Sequence, residues 1–339
     1  MKREPGIDLV RCLGLFFVNG IHFFLKNGYY GEAQIGAVIW GANCFRWLFF
    51  SCNGLFLLLT GYLKSTKPFT KDYYKGLLPI LVGYALTCMI TYPIRHFALG
   101  EELSIFEWIG NFVTFSNYSW YLEMYLGLIL FSPILNLALE RVRDDKMLLT
   151  LAGVMVVLTA LPSITALNLI PDYWVSFYPV TFYMIGAVIR RLQPKLKMHY
   201  GLAAIALTVM FMGWLSLIAT DKGFSKGFTQ SNGGFWNTLV ATLVFLTFYR
   251  VRVPERMAKL LSQMSQGVLE GYLLSIVLDR SLYAAFPQWH SPEHYPILFL
   301  CATVPIFLIS IIAGRCVHGL SVRVCRQKKR ITLSSETAV

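Results

Sequence analysis

Charge is scarce in this chain. Only 14% of its 339 residues are Asp, Glu, Lys or Arg, against about 25% in an ordinary soluble domain, and this excludes a water-exposed globular protein. Acidic groups are scarcer still, with 18 Asp and Glu against 30 Lys and Arg and a net charge of +12. That balance alone would suit nucleic acid. With 56% hydrophobic and 15% aromatic residues, the partner that fits is a lipid bilayer, and no nucleic-acid partner is expected.

Cysteine is missing where disulfides form. Cys12, Cys44, Cys52, Cys88 and Cys301 fall in apolar stretches and Cys316 and Cys325 in a basic tail, so no structural disulfide is expected. Cys316, His318 and Cys325 match no zinc spacing and lack a fourth ligand, so no metal site is expected either. A cleavable secretory leader is also absent by pattern: Asp8, Arg11 and His22 interrupt the first apolar stretch and no small-x-small site follows. That stretch is expected to be a retained span.

Long apolar stretches are what the chain does have. A bilayer-spanning helix needs about 20 mostly apolar residues, and about ten such stretches occur, near 7–25, 37–62, 73–94, 117–138, 147–168, 173–189, 199–219, 235–249, 266–287 and 294–314. The expected fold is therefore all-α, a polytopic membrane protein with about ten transmembrane helices in a single domain, followed by a basic tail at 315–339. Lys and Arg gather at the amino end (Lys2, Arg3), after span two (Lys64, Lys67, Lys71, Lys75), after spans four, six and eight, and in the tail. The alternate loops hold Lys26, Lys222 and Lys226. By the positive-inside rule both termini are cytoplasmic. Apolar and acidic residues at helical spacing near 101–112 predict a short helix in the outer interface, and the four-residue repeat at 222–229 followed by GlnSerAsnGlyGly, in the loop near 220–234, predicts a mobile external loop.

Burying a charge in a bilayer costs about 2.5–3.5 kcal/mol on insertion scales, so ionisable residues within spans must face a cavity or a partner. Such residues concentrate in spans one, two, four and nine. Span one carries Asp8, Arg11 and His22. At about 100° per residue, Arg11 and His22 lie within about 20° of the same direction and about 16 Å apart. Asp8 precedes Arg11 at the spacing of a helical ion pair.

Span four carries Glu123 behind Trp120 and Tyr121, at about the depth of His22 on the oppositely directed span one. Two arrangements stay open: Glu123 meets His22 and raises its basicity, or it pairs with Arg46 of span two or Arg280 of span nine. Span two also holds Asn43 and Asn53, and span nine holds Glu270 and Asp279. Adjacent Asp279 and Arg280 point about 100° apart, so each requires a partner of its own. Most tryptophans fit an interfacial belt, while Trp120 and Tyr121 also offer a stacking surface for a sugar ring.

These residues resemble a known family. IleAsp at 7 and 8, then Arg11, ten intervening residues and His22 look like the first-span signature of the acyltransferase family 3 membrane proteins. AsnGlyLeuPheLeuLeuLeuThrGlyTyrLeu at 53–63 is similar to the family's segment closing span two. SerTrpTyrLeuGluMetTyrLeu at 119–126, followed by Pro133, is similar to its Trp-aromatic-Leu segment. The chain departs from the family at the start of span three, where ArgxxArg is common: residues 73–80 place Gly76 and Pro79 at those positions. No extracytoplasmic hydrolase-like domain is expected.

The resemblance implies transfer of an acyl group, commonly acetyl, from cytoplasmic acyl-CoA to a hydroxyl of an extracytoplasmic or lipid-linked carbohydrate, at the cell membrane and by expectation a bacterial plasma membrane. Acetyl-CoA or another short acyl-CoA is then a donor substrate, and no permanently bound cofactor is expected. On this basis His22 is expected as base or acyl relay, assisted by Glu123. Asp8, Arg11, Lys71 and Lys75 are expected at the donor, and Arg46, Asn53, Trp120, Tyr121, Asp279 and Arg280 at the acceptor or the oxyanion. The rival class is a transporter or flippase of a saccharide or small polar solute, since charged residues in a bundle also mark substrate pathways. Against it, the two halves show no repeat.

Overall fold

The computed structural model describes residues 4–31, 36–114, 119–164, 169–221, 232–287 and 290–336. The loop at 222–229, Trp289, and Lys2, Arg3, Lys222 and Lys226 lie outside the described residues, as do the side chains beyond Arg326. Among the described residues fourteen α-helices follow one another: α1 (Pro5–Lys26), α2 (Ala37–Phe50), α3 (Cys52–Lys64), α4 (Leu78–Pro93), α5 (Ile105–Thr114), α6 (Trp120–Arg141) and α7 (Asp145–Ala160), then α8 (Tyr178–Leu192), α9 (Met198–Asp221), α10 (Phe235–Phe248), α11 (Glu255–Met264), α12 (Val268–Ala284), α13 (Tyr295–Leu298) and α14 (Val304–Glu336). No β-strand occurs among the described residues. All seven cysteines are free thiols.

Local chemistry explains the boundaries. Pro5 opens α1, Asp8 sits in its first turn and Lys26 in its last, each sign matching the helix dipole. The Asp144 carboxylate caps α7 by accepting from the Lys146 and Met147 amides. Gln193, at φ 49°, ends α8 in the left-handed conformation just before Pro194.

Among the described residues seven helical stretches are long and apolar enough to cross a bilayer, so the chain is a multi-pass all-α membrane protein. The three remaining apolar stretches of the sequence correspond to α8, α10 and α12, of 15, 14 and 17 residues, with 3-10 turns at Asp172–Phe177 and Ser265–Gly267 leading directly into α8 and α12. They pack within the bundle: α8 and α10 against α3, and α12 against α1, α4 and α14. The apolar stretch 37–62 is not one helix; it breaks at Ser51, whose hydroxyl donates to the Leu48 carbonyl at 2.6 Å. Helix α5 lies where the sequence places an outer helix, starting a few residues later. The basic connection at 250–259 contains α11, which the sequence pattern leaves as loop.

Backbones approach closely where α3 crosses α8. A Cβ on Gly61 would collide with the Tyr183 carbonyl, and one on Gly186 with the Leu58 carbonyl, the small-residue packing that replaces hydrophobic drive between helices in lipid. Gly267 and Gly314 do the same where α12 begins against α14. Polar contacts tie the basic connections together at one end of the bundle. Glu4 accepts from Tyr62 Oη at 3.0 Å and from Arg190 at 3.3 Å, Arg191 pairs with Asp145, and Arg250 donates to the Gln193 carbonyl.

Candidate active site

Helices α1 and α12 run parallel along a seam fixed at three levels. At the basic end, the Ser265 hydroxyl just before α12 donates to Asp8 Oδ1 at 2.7 Å. In the middle, Leu15 packs beside Gly271. Towards the opposite end, His22 Nδ1 meets Asp279 Oδ2 at 2.6 Å. The Asp279 side chain is fully buried and that of His22 is 13% exposed. A carboxylate accepting from Nδ1–H leaves Nε2 as the basic nitrogen and stabilises the imidazolium, which is the arrangement of a general base.

Below His22 opens a cavity of about 450 Å³. Its wall towards His22 includes Val18, Asn53, Phe56 and Tyr121, and its rim at the basic end includes Arg11, Lys64, Lys67 and His318. Val18 precedes His22 by one helical turn on nearly the same face, so the cavity runs along α1 from Arg11 to the level just beneath the imidazole. Its lining is cationic at the basic end and aromatic towards His22, which does not itself line the cavity.

The mouth is built rather than incidental. Arg11 Nη1 donates to buried Asp8 at 3.0 Å, and Ser265 holds the same carboxylate, so Arg11 is oriented from beneath. The last residue of α3 is Lys64, and the turn after it carries Lys67. Buried Asn136 of α6 donates to both of their backbone carbonyls, at 2.9 and 3.1 Å, and accepts from Tyr183 Oη at 2.7 Å. The Lys64 ammonium lies 5.7 Å from the Tyr73 ring. Across the cavity, Glu270 holds His318 Nδ1 at 2.9 Å.

Several sequence-predicted residues stand elsewhere. Glu123 is exposed in the first turn of α6 and makes no salt bridge with His22, Arg46 or Arg280; the carboxylate on His22 is Asp279. The physical reason is azimuth: α6 packs on α3 and α8 whereas α12 packs on α1, so equal depth brings no contact. Lys71 and Lys75 are exposed away from the cavity wall, Lys75 pairing with Asp72 at 2.5 Å, and Lys64 and Lys67 occupy the mouth instead. Pro79 lines the cavity. Asn53 lines it too and donates to Asn232 Oδ1 at 3.1 Å. Tyr121 is buried against it while Trp120 turns outward, 41% exposed.

Asp279 and Arg280 do take separate partners. Arg280 pairs with Glu101, whose other oxygen accepts from Arg95 Nε and Nη2 at 3.0 and 2.7 Å. Burial pushes the Glu101 carboxyl up, but hydrogen bonds and charge from both arginines outweigh it and hold the group below the usual carboxylate range. Arg95 lies on a π-helical turn, Ile94–Ala98, directly after Pro93. Sequence reasoning passed over Arg95 and Glu101; the adjacent unlike charges at 279 and 280 were the available signal. Arg46 is buried among aromatic rings, its Nε donating to Tyr30 Oη at 3.0 Å and its guanidinium 5.2 Å from that ring.

A sequence model of the acyltransferase domain of acyltransferase family 3 matches residues 4–315. The chain belongs to acyltransferase family 3. As a member of acyltransferase family 3 it is an O-acyltransferase, and its apolar helices make it a membrane one. The match spans the whole α1–α12 seam and every residue of the cavity wall except His318. No individual curated protein and no solved structure matches the chain.

Proposed function

We propose that this acyltransferase takes an acyl group, acetyl or another short chain, from acyl-CoA in the cytoplasm and places it on a carbohydrate hydroxyl reached from the outer side of a cell membrane. The observation that carries the proposal is the His22–Asp279 pair standing one turn beyond the end of a cavity with a cationic mouth. With the basic end facing the cytoplasm, as the positive-inside rule places it, the phosphates of the donor meet Arg11, Lys64 and Lys67, which bind them as charge-assisted partners. The acyl arm then lies along Val18, Phe56 and Tyr121 towards His22.

In the transfer step His22 Nε2 takes the proton of the acceptor hydroxyl as its oxygen attacks the thioester carbonyl. The carbon–sulfur bond breaks, the ester forms, and the departing CoA sulfur receives the proton from the imidazolium. Asp279 steadies that imidazolium without touching the substrate, so it is a positioning residue. A relay in which the imidazole carries the acyl group transiently uses the same geometry. Arg280 is held by Glu101 and Arg46 by its aromatic cage, so neither is assigned to the oxyanion.

The test is purified protein in nanodiscs with radiolabelled acetyl-CoA, paired with mass analysis of surface glycans from cells with and without the gene. Thioester turnover and an added acyl increment, both lost in His22→Ala, are expected. Wild-type turnover in a folded His22→Ala variant would remove His22 from the reaction, and solute flux without any thioester cleavage would favour a transporter.

A further inference from the structure

Away from the seam, the basic end carries a second concavity, a groove of about 680 Å³ between α11 and α14. On the α14 wall stand Arg315, Gly319 and Arg323 at four-residue intervals, hence on one stripe of the helix. On the α11 wall stand Leu260, Gln263 and Met264. Arg315 Nη1 donates to Gln263 Oε1 at 3.2 Å, and among the described residues neither Arg315 nor Arg323 forms a salt bridge. Between them Gly319 leaves the floor bare, since a Cβ there would meet nothing within 4 Å. The groove continues onto exposed apolar surface at Ile312 and Leu260, 66% and 48% exposed. Arg323 lies beyond the family match.

We propose that this groove binds one anionic glycerophospholipid of the adjoining leaflet, its phosphate between Arg315 and Arg323 over Gly319 and its acyl chains along Ile312 and Leu260. Two guanidinium groups with no carboxylate partner match a phosphodiester in charge and hydrogen-bond geometry. A free anion would leave the apolar wall uncovered. A zwitterionic choline headgroup would bring a third cation against two arginines. Basic pockets at the cytoplasmic ends of membrane helices recognise anionic headgroups by this combination of charge and apolar wall, and α11 supplies an amphipathic wall lying at that level.

The experiment is native mass spectrometry of the full chain released from nanodiscs holding equal parts phosphatidylglycerol and phosphatidylcholine, with melting temperatures measured in each lipid alone. Wild type should retain one phosphatidylglycerol and melt higher in that lipid. Arg315→Gln/Arg323→Gln should retain it on the order of tenfold less. Gly319→Trp, which fills the recess but keeps both arginines, should lose it as well. Equal retention of the two lipids, or phosphatidylglycerol retained undiminished by both variants, overturns the proposal. So does inorganic phosphate raising the wild-type melting temperature as much as the lipid, or Gly319→Trp converting a stable oligomer to monomer with lipid retention unchanged.

Discussion

The His22 imidazole and the Asp279 carboxylate meet at 2.6 Å across 257 residues of sequence. The contact joins the first helix of the chain to one of its last, and it lies on a seam whose basic end is pinned by Ser265 and Asp8. Placing the imidazole and its carboxylate partner on two parallel packed helices, rather than on loops, keeps their separation fixed.

Replacing Asp279 by Asn should lower kcat by about 10²–10⁴-fold with a much smaller change in donor KM, because the tautomer and the imidazolium are affected rather than the mouth of the cavity. Glu123→Gln should stay near wild type. Steady-state kinetics on both variants decide between the two carboxylates; a kcat loss confined to Glu123→Gln would return Glu123 to the reaction.

Lys64→Gln/Lys67→Gln should raise the KM for acyl-CoA by about tenfold or more and leave kcat nearly unchanged. A thioester of pantetheine, which lacks the phosphates, should be turned over equally by wild type and variant. Asn136→Ala should act in the same direction by releasing the turn it holds. Lys71→Gln/Lys75→Gln should have little effect on either parameter. The measurement is a pair of Michaelis curves with and without the phosphate-bearing part of the donor.

Glu101→Gln leaves Arg95 and Arg280 facing each other without a carboxylate. Removing the carboxylate from this partly exposed ion cluster should lower the melting temperature near neutral pH. Since the folded-state carboxyl is held below its unfolded value of about 4.3, its contribution is fully present above that pH and disappears as the pH falls through the lowered folded value. The difference in melting temperature between wild type and variant should therefore shrink in acid; a constant gap across pH would show that the clamp's charge contributes nothing.

Gly186→Val forces a side chain against the Leu58 carbonyl and should destabilise the α3–α8 crossing by about 1–3 kcal/mol. Gly153→Val, at a helical site where a Cβ meets nothing within 4 Å, is the control. Thermal unfolding of both in the same detergent tests whether the crossing depends on bare backbone; equal melting temperatures would count against it.

Much of this protein is legible along single helices. Arg11 and His22 share a face because helical periodicity alone sets their directions, and the Asp8–Arg11 pair follows from spacing within one turn. The divergence of Asp279 and Arg280 is equally local, and their separate partners agree with it. The identity of those partners is not local. Glu123 and His22 have comparable depths, yet depth fixes only one of three coordinates. The lysines that reach the cavity are Lys64 and Lys67 because Asn136, three helices later, draws in their carbonyls, a contact invisible in a pattern of charges.

By itself, the sequence determined that the chain is helical, apolar and membrane-embedded, which end is basic, and that Arg11 and His22 share one face of α1, because hydropathy and a 3.6-residue period are properties of contiguous residues. Only the tertiary structure decided that Asp279 pairs with His22, that Glu101 binds two arginines, and that α11 and α14 enclose a groove. Those outcomes depend on the rotation of each helix about its axis and on its neighbours. Crossings such as Gly61 against Tyr183 and Gly186 against Leu58 set both, and they involve residues that no local pattern links.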